Sequence, residues 1–240
     1  MHSAVDLRDV LYSWPGSNEP VLDVPKLSIA KGASIFLLGP SGSGKSTLLN
    51  LIAGLALPQS GSVSVLGQKM QEMNSRARDR FRARNIGLIF QQFNLVPYLD
   101  VETNIRLAAR LAGTRDDECE RRGGILMESL LLSRSLLKHR TDELSVGQQQ
   151  RVAIVRAMIN KPQLIIADEP TSALDEESRL EFVETLLSTQ KSTSATVIFV
   201  SHDRSLARYF DSVESMRMVN VLQNRKKSNP GIRSDEFHAN

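Results

Sequence analysis

Gly39-Pro40-Ser41-Gly42-Ser43-Gly44-Lys45-Ser46 places three glycines, a lysine and hydroxyls in the order Gly, four residues, Gly-Lys-Ser. That spacing fits a P-loop, whose backbone N–H groups turn inward around nucleotide phosphates where a Cβ would obstruct the approach. In such a loop Lys45 supplies a cation to the β- and γ-phosphate oxygens, and Ser46 places a hydroxyl on Mg²⁺. Thr47 is expected to reach the α-phosphate. The loop opens a helix, so the helix N-terminus favours each anionic contact by roughly 0.3–1 kcal/mol. The apolar run before the loop and the amphipathic segment after it argue against a glycine turn without a ligand.

Two further stretches carry chemistry. Ile165-Ile-Ala-Asp168-Glu169 reads as a buried strand ending in carboxylates, the end of a parallel strand at which ligands bind. Asp168 is expected to hold Mg²⁺ through its water shell, and Glu169 to orient and deprotonate an attacking water. A general base of this kind contributes about 10²–10⁴-fold in rate. The other stretch is Leu144-Ser145-Val146-Gly147-Gln148, where Ser145 suits the N-cap of a following helix.

These residues need elements to position them. Strands are expected near 4–12 and 25–30, then at 34–38, leading straight into the loop. A helix follows from Lys45 to about Leu55, Pro58–Gly61 is a turn, and 62–66 alternates as a half-buried strand. Residues 74–84 read as helix and 86–90 as strand. From Asp100 to about Leu137 the pattern is helical, with breaks expected near Gly113 and at Gly123-Gly124. Another helix runs from Ser145 to about Asn160. Strand 164–168, helix 176–190, strand 196–200 and helix 203–209 then alternate, the mark of a parallel sheet with crossover helices. The helical block 92–160 interrupts that alternation and reads as a subdomain within a single domain, 1–222; the polar tail 223–240 reads as poorly ordered.

Composition excludes several classes. The chain has 240 residues, 41% hydrophobic and 24% charged, with a formal charge of +3. That balance suits a globular α/β domain and gives no case for nucleic acid. Cys119 stands alone among charges, so no internal disulfide forms and a reducing cytosol is compatible. No signal peptide is visible, and no apolar stretch approaches the roughly 18 residues that a membrane span needs. Any path across a membrane must come from another chain. Arg76, Arg80 and Arg84, from a run of alternating arginines, share a helix face read as solvated, with lipid headgroups or a partner as the alternative.

Together the P-loop, Leu144–Gln148 with Gln149-Gln-Arg151 and Arg156-Ala, and Asp168-Glu169 resemble the ATPase cassette of the ATP-binding cassette (ABC) family, over roughly residues 5–218. The resemblance implies an α/β P-loop NTPase with a parallel-sheet core, an N-terminal antiparallel β subdomain and an inserted helical subdomain. It implies ATP and Mg²⁺ as ligands and ATP hydrolysis as the reaction. His202 matches the family's switch histidine at the γ-phosphate. Gln91 matches its Mg²⁺-binding Q-loop glutamine, with Gln92 as the neighbouring candidate. Trp14 aligns with its adenine-stacking aromatic, with Tyr12 as the alternative. Ser172-Ala-Leu-Asp175 matches its D-loop. Ser145, Gly147 and Gln148 belong to the signature that meets the γ-phosphate held by a second copy, implying a head-to-tail ATP-sandwiched dimer. Val146 departs from the family's usual glycine, which bears on closure and turnover.

Residues 85–97 and 99–104 resemble the lipoprotein-releasing, macrolide-exporting and cell-division (FtsE-type) cassettes. These are stand-alone ATPases on the cytoplasmic face that pair with an integral membrane subunit. An importer cassette for a small solute shares every catalytic motif, and a soluble cassette such as an iron–sulfur assembly factor has this size.

Overall fold

Residues 3–17, 19–172 and 174–222 are described in the structure, a computed structural model. β1 (Ser3–Tyr12) and β2 (Leu22–Ala30) form an antiparallel hairpin, extended by β4 (Ser60–Val65) and β5 (Gln68–Lys69) into a sheet of order β2-β1-β4-β5. The second sheet is parallel throughout. It contains β3 (Ser34–Leu38), β6 (Ile86–Phe90), β7 (Leu164–Asp168), β8 (Thr196–Ser201) and β9 (Ser212–Ser215) in the order β6-β7-β8-β3-β9.

The central strands are near-continuous apolar runs because both faces of a parallel sheet are covered. Alternate residues therefore serve two cores. Phe36, Ile165, Ala167, Val197 and Phe199 face the core shared with α5 (Val146–Met158) and α6 (Glu176–Thr193). Ile35, Leu37, Ile166, Ile198 and Val200 face α1 (Lys45–Ile52) and the antiparallel sheet. Phe36 and Phe199 stack at 5.9 Å between centroids, and Phe210 closes the cluster at 5.4 and 5.0 Å. The strands that lead into Gly39 and His202 are thus locked side by side by aromatic packing.

Between β6 and β7 the chain builds α3 (Val101–Ala112), α4 (Asp116–Ser129) and α5, with short 3₁₀ turns at Arg134–Lys138 and Thr141–Glu143. Asp100 caps α3, accepting from the Thr103 N–H at 2.7 Å, as its side chain suits it to do. The break expected at Gly123-Gly124 does not occur: α4 runs through both. Both glycines are buried, and a Cβ on Gly124 would lie 2.4 Å from the Arg134 guanidinium. Gly124 thus lies within a helix against the Arg134 side chain, not at a turn.

Other boundaries shift for local reasons. α1 ends at Ile52, short of Leu55, because Gly54 turns the chain at φ +67°. The segment after His202 is a 3₁₀ turn, Arg204–Tyr209. β9, and α7 (Met216–Val219) after it, arise where no element was expected; β9 is polar and short and is defined by pairing with β3. α2 (Ser75–Asn85) buries none of its residues. Its arginines do more than face solvent: Arg78 donates to Met73 O at 2.6 Å, Arg82 to Ala53 O at 3.3 Å and Arg84 to Ala112 O at 3.0 Å. The expected tail, 223–240, lies outside the described residues. Among the described residues no helix is long and apolar enough to cross a membrane.

Phe199→Ala, which empties the centre of the aromatic cluster, is expected to cost about 3–5 kcal/mol of unfolding free energy, measured by urea denaturation followed by circular dichroism.

Candidate active site

The register of the parallel sheet aligns four strand ends. Phe90 stands beside Asp168, Asp168 beside Val200, and Leu38 beside Ser201. The next residues along each strand are Gln91, Glu169, His202 and the loop from Gly39. Residues far apart in sequence therefore emerge together at the carboxyl edge, where open α/β sheets bind ligands.

A cavity of about 790 Å³ opens there. The loop residues Pro40, Ser41, Gly42, Gly44, Lys45, Ser46 and Thr47 form its floor. Trp14 and Val21 wall one end, and Gln91, Glu169, Ser172 and His202 the other. Gly39 and Ser43 lie behind this surface. Gly44, at φ +93°, takes a left-handed turn immediately before α1, and no side chain caps that helix. The first N–H groups of α1 are left without a capping side chain at the cavity floor.

Charges are concentrated in this space. The buried Lys45 Nζ donates to Gly39 O at 2.8 Å and Pro40 O at 3.0 Å, and lies 3.3 Å from Glu169 Oε1. Glu169 Oε2 lies 2.8 Å from His202 Nδ1. Glu169 has φ +48°, a left-handed conformation that costs a non-glycine residue on the order of 1–3 kcal/mol. Its N–H is held by Val200 O at 3.0 Å, so the neighbouring strand fixes the bend. Ser46 Oγ donates to Asp168 Oδ2 at 2.9 Å, while Asp168 Oδ1 is buried with no hydrogen-bond partner. Burial pushes the Asp168 carboxyl pKa up, against the lowering effect of the Ser46 hydroxyl. A hydroxyl beside a carboxylate with an unsatisfied buried oxygen is an oxygen donor set suited to a hard divalent cation such as Mg²⁺.

The remaining candidates are placed as follows. Trp14 is 43% exposed at the cavity, whereas Tyr12 is 5% exposed in the core beneath it, edge-on at 5.2 Å. Gln91 lines the cavity and Gln92 does not. Ser145 and Gln148 form a reciprocal capping box at the start of α5: the Gln148 N–H donates to Ser145 Oγ at 3.3 Å and the Ser145 N–H to Gln148 Oε1 at 3.0 Å. None of residues 144–148 lines the cavity. Asp175 caps α6 through the Ser178 N–H, which holds its carboxyl below the usual range; Ala173 lies outside the described residues.

Sequence reasoning missed Val21 at the cavity and assigned no role to Arg156. That guanidinium, on α5, donates to Phe93 O and Asn94 O at 2.5 Å each. Both acceptor residues are left-handed, so α5 pins the turn after Gln91.

A family model described as "ABC transporter" matches residues 22–172. The ABC transporter ATP-binding protein YbbA of Escherichia coli K12 is 40% identical over 200 residues, 83% of this chain and 86% of the relative. The lipoprotein-releasing system ATP-binding protein LolD of Xanthomonas campestris strain 8004 is 37% identical over 194 residues, 81% of each chain. Among solved structures, the dimeric post-hydrolysis state of the ATP-binding cassette MJ0796, bound to ADP and Pi, superposes with a TM-score of 0.78 at 33% identity, covering 88% of this chain and 93% of that one.

Folding raises the Asp168 pKa above 3.8, so its contribution to stability is lost as pH climbs through the folded value. At pH 7, Asp168→Asn is therefore expected to raise the unfolding free energy of the isolated chain, read from urea denaturation in chelator. A loss of stability would mean that the carboxylate is satisfied where it sits.

Proposed function

This chain belongs to the ABC transporter ATP-binding family, and from that premise we propose that it is the ATP-hydrolysing motor of a membrane export or lipoprotein-release machine, working as a head-to-tail dimer. The observation that carries the hydrolytic reading is Glu169, held between Lys45 and His202 at the edge of the phosphate cavity. In this reading the loop N–H groups and Lys45 bind the β- and γ-phosphates, and Trp14 stacks on adenine. Glu169 orients the attacking water and takes its proton, while His202, bonded to Glu169, holds the carboxylate and faces the γ-phosphate. Ser46, Gln91 and Asp168 would hold Mg²⁺, which would supply positive charge to the phosphate oxygens.

One glycine supports the dimer. Gly147 occupies the second position of α5 without a left-handed φ, and an added Cβ there would meet nothing within 4 Å. Inside a helix glycine costs about 1 kcal/mol relative to alanine, and nothing among the described residues requires it. A surface that must approach the γ-phosphate bound to a second copy does require it. Ser145 fits the same role: its oxygen accepts from Gln148 in the cap, leaving its O–H free to donate to a phosphate oxygen. Val146 is 55% exposed on this surface, so its side chain would lie in the closed interface.

The membrane partner is expected at a second depression, about 630 Å³, between α2, β6, α3 and α5. Leu107 and Leu111 are exposed on its rim. Arg156 is half-buried in its lining and donates to the Phe93 and Asn94 carbonyls, and desolvation lowers its pKa. An amphipathic cytoplasmic helix of an integral membrane subunit, with an acidic residue among apolar ones, complements that surface. The chain would then sit peripherally on the cytoplasmic face.

Glu169→Gln is expected to bind ATP as the parent does and to lose at least about 10²-fold in turnover, the scale of a general base. With Mg-ATP it should retain an integral membrane protein from detergent-solubilised native membranes; undiminished hydrolysis would remove Glu169 as the base. Gly147→Ala is expected to stabilise the isolated chain by roughly 0.5–1 kcal/mol while weakening ATP-dependent dimerisation, measured by denaturation and by light scattering.

A further inference from the structure

Asn220 is fully buried and its carboxamide makes three hydrogen bonds. Oδ1 accepts from the Asp23 N–H at 3.0 Å, and Nδ2 donates to Val21 O at 2.9 Å and to Ser43 O at 3.3 Å. These bonds join three segments: the phosphate loop, the start of β2 beside Trp14, and the end of α7. The same short helix supports the loop at its other end, since a Cβ on Gly39 would lie 2.8 Å from Met216 Cβ. The segment from Met216 to Asn220 is thus a brace beneath residues 39–43.

The peptide between Ser43 and Gly44 shows what the brace does. A trans peptide is planar, with C=O and N–H pointing in opposite directions. Drawing Ser43 O toward the buried Asn220 turns the Gly44 N–H away from it. Gly44 lines the cavity and, at φ +93°, has wide backbone freedom to lose that orientation.

We propose that Asn220 is a positioning residue for phosphate binding, its carboxamide aiming the Gly44 N–H into the cavity and tying the loop to the Val21 wall. The proposal rests on the reading of residues 39–47 as the phosphate cradle. Asn220 touches no phosphate; it acts through the backbone of Ser43. Removing the amide takes one hydrogen bond each from Val21 O, Ser43 O and the Asp23 N–H. Asn220→Asp, nearly the same shape, places an oxygen against the two carbonyl oxygens where a donor stood.

The test uses the full chain and two probes, tripolyphosphate and ATP, titrated calorimetrically at a temperature where every variant is folded by circular dichroism. Asn220→Ala should bind both about tenfold more weakly, a loss on the scale of one hydrogen bond's free energy. Asn220→Asp should lose at least as much. Val219→Ala, which thins the packing of the same helix without touching the amide, should lower the melting temperature and bind both probes as the parent does. Parental affinity in both Asn220 variants, or an equal loss in Val219→Ala, would overturn the positioning role. Lys45→Ala separates the two readings: a loss there with none in Asn220→Ala overturns the brace alone, and no loss in either overturns the cradle as well.

Discussion

The candidate active site depends on the register of a parallel sheet. β3, β7 and β8 are adjacent and in step, so the phosphate loop, Asp168-Glu169 and His202 leave the sheet at one level. This brings the Lys45 ammonium within 3.3 Å of the Glu169 carboxylate in a place where burial makes charge interactions stronger than in water. A one-residue slip would turn every side chain of a strand to the opposite face. It would also exchange Phe36 or Phe199 between the two cores, so the packing that stabilises the sheet enforces the spacing of the chemistry. The left-handed Glu169, bonded to Val200 O, is the strain that this arrangement holds in place.

Much of the candidate site was legible because the chemistry proposed for it fixes residue types at short range. A phosphate cradle needs its glycines, lysine and hydroxyl within eight consecutive positions, and a buried strand ending in Asp168-Glu169 announces itself by its apolar run. Strands 34–38, 86–90 and 164–168 were read to the residue for the same reason. What escaped depends on distant partners. Asn220 bonds to residues 177 to 199 positions away, and nothing near it in the chain marks it. Gly123-Gly124 looked like a break because local propensity favours one, but both glycines are buried within α4, Gly124 against the Arg134 side chain. Helical spacing placed Arg84 with Arg76 and Arg80, yet Arg84 satisfies the carbonyl at the end of α3 instead. Spacing also could not separate Tyr12 from Trp14; burial does.

The signature is the one motif that the fold leaves away from the cavity. Ser145 and Gln148 spend part of their hydrogen-bonding capacity on capping α5, and Gly147 gives up helix stability for an open surface. A glycine that costs α5 stability, with nothing among the described residues requiring it, is consistent with a site completed by another copy, each cavity closed by its neighbour's signature.

That claim is tested most directly by mixing two inactive chains. One carries Lys45→Ala and keeps its signature; the other carries Ser145→Arg and keeps its phosphate loop. A sandwiched dimer pairs the second chain's cavity with the first chain's signature, so ATP hydrolysis should return in the mixture. A mixture as inactive as either chain alone would mean that cavity and signature act within one copy, and the composite site would be wrong.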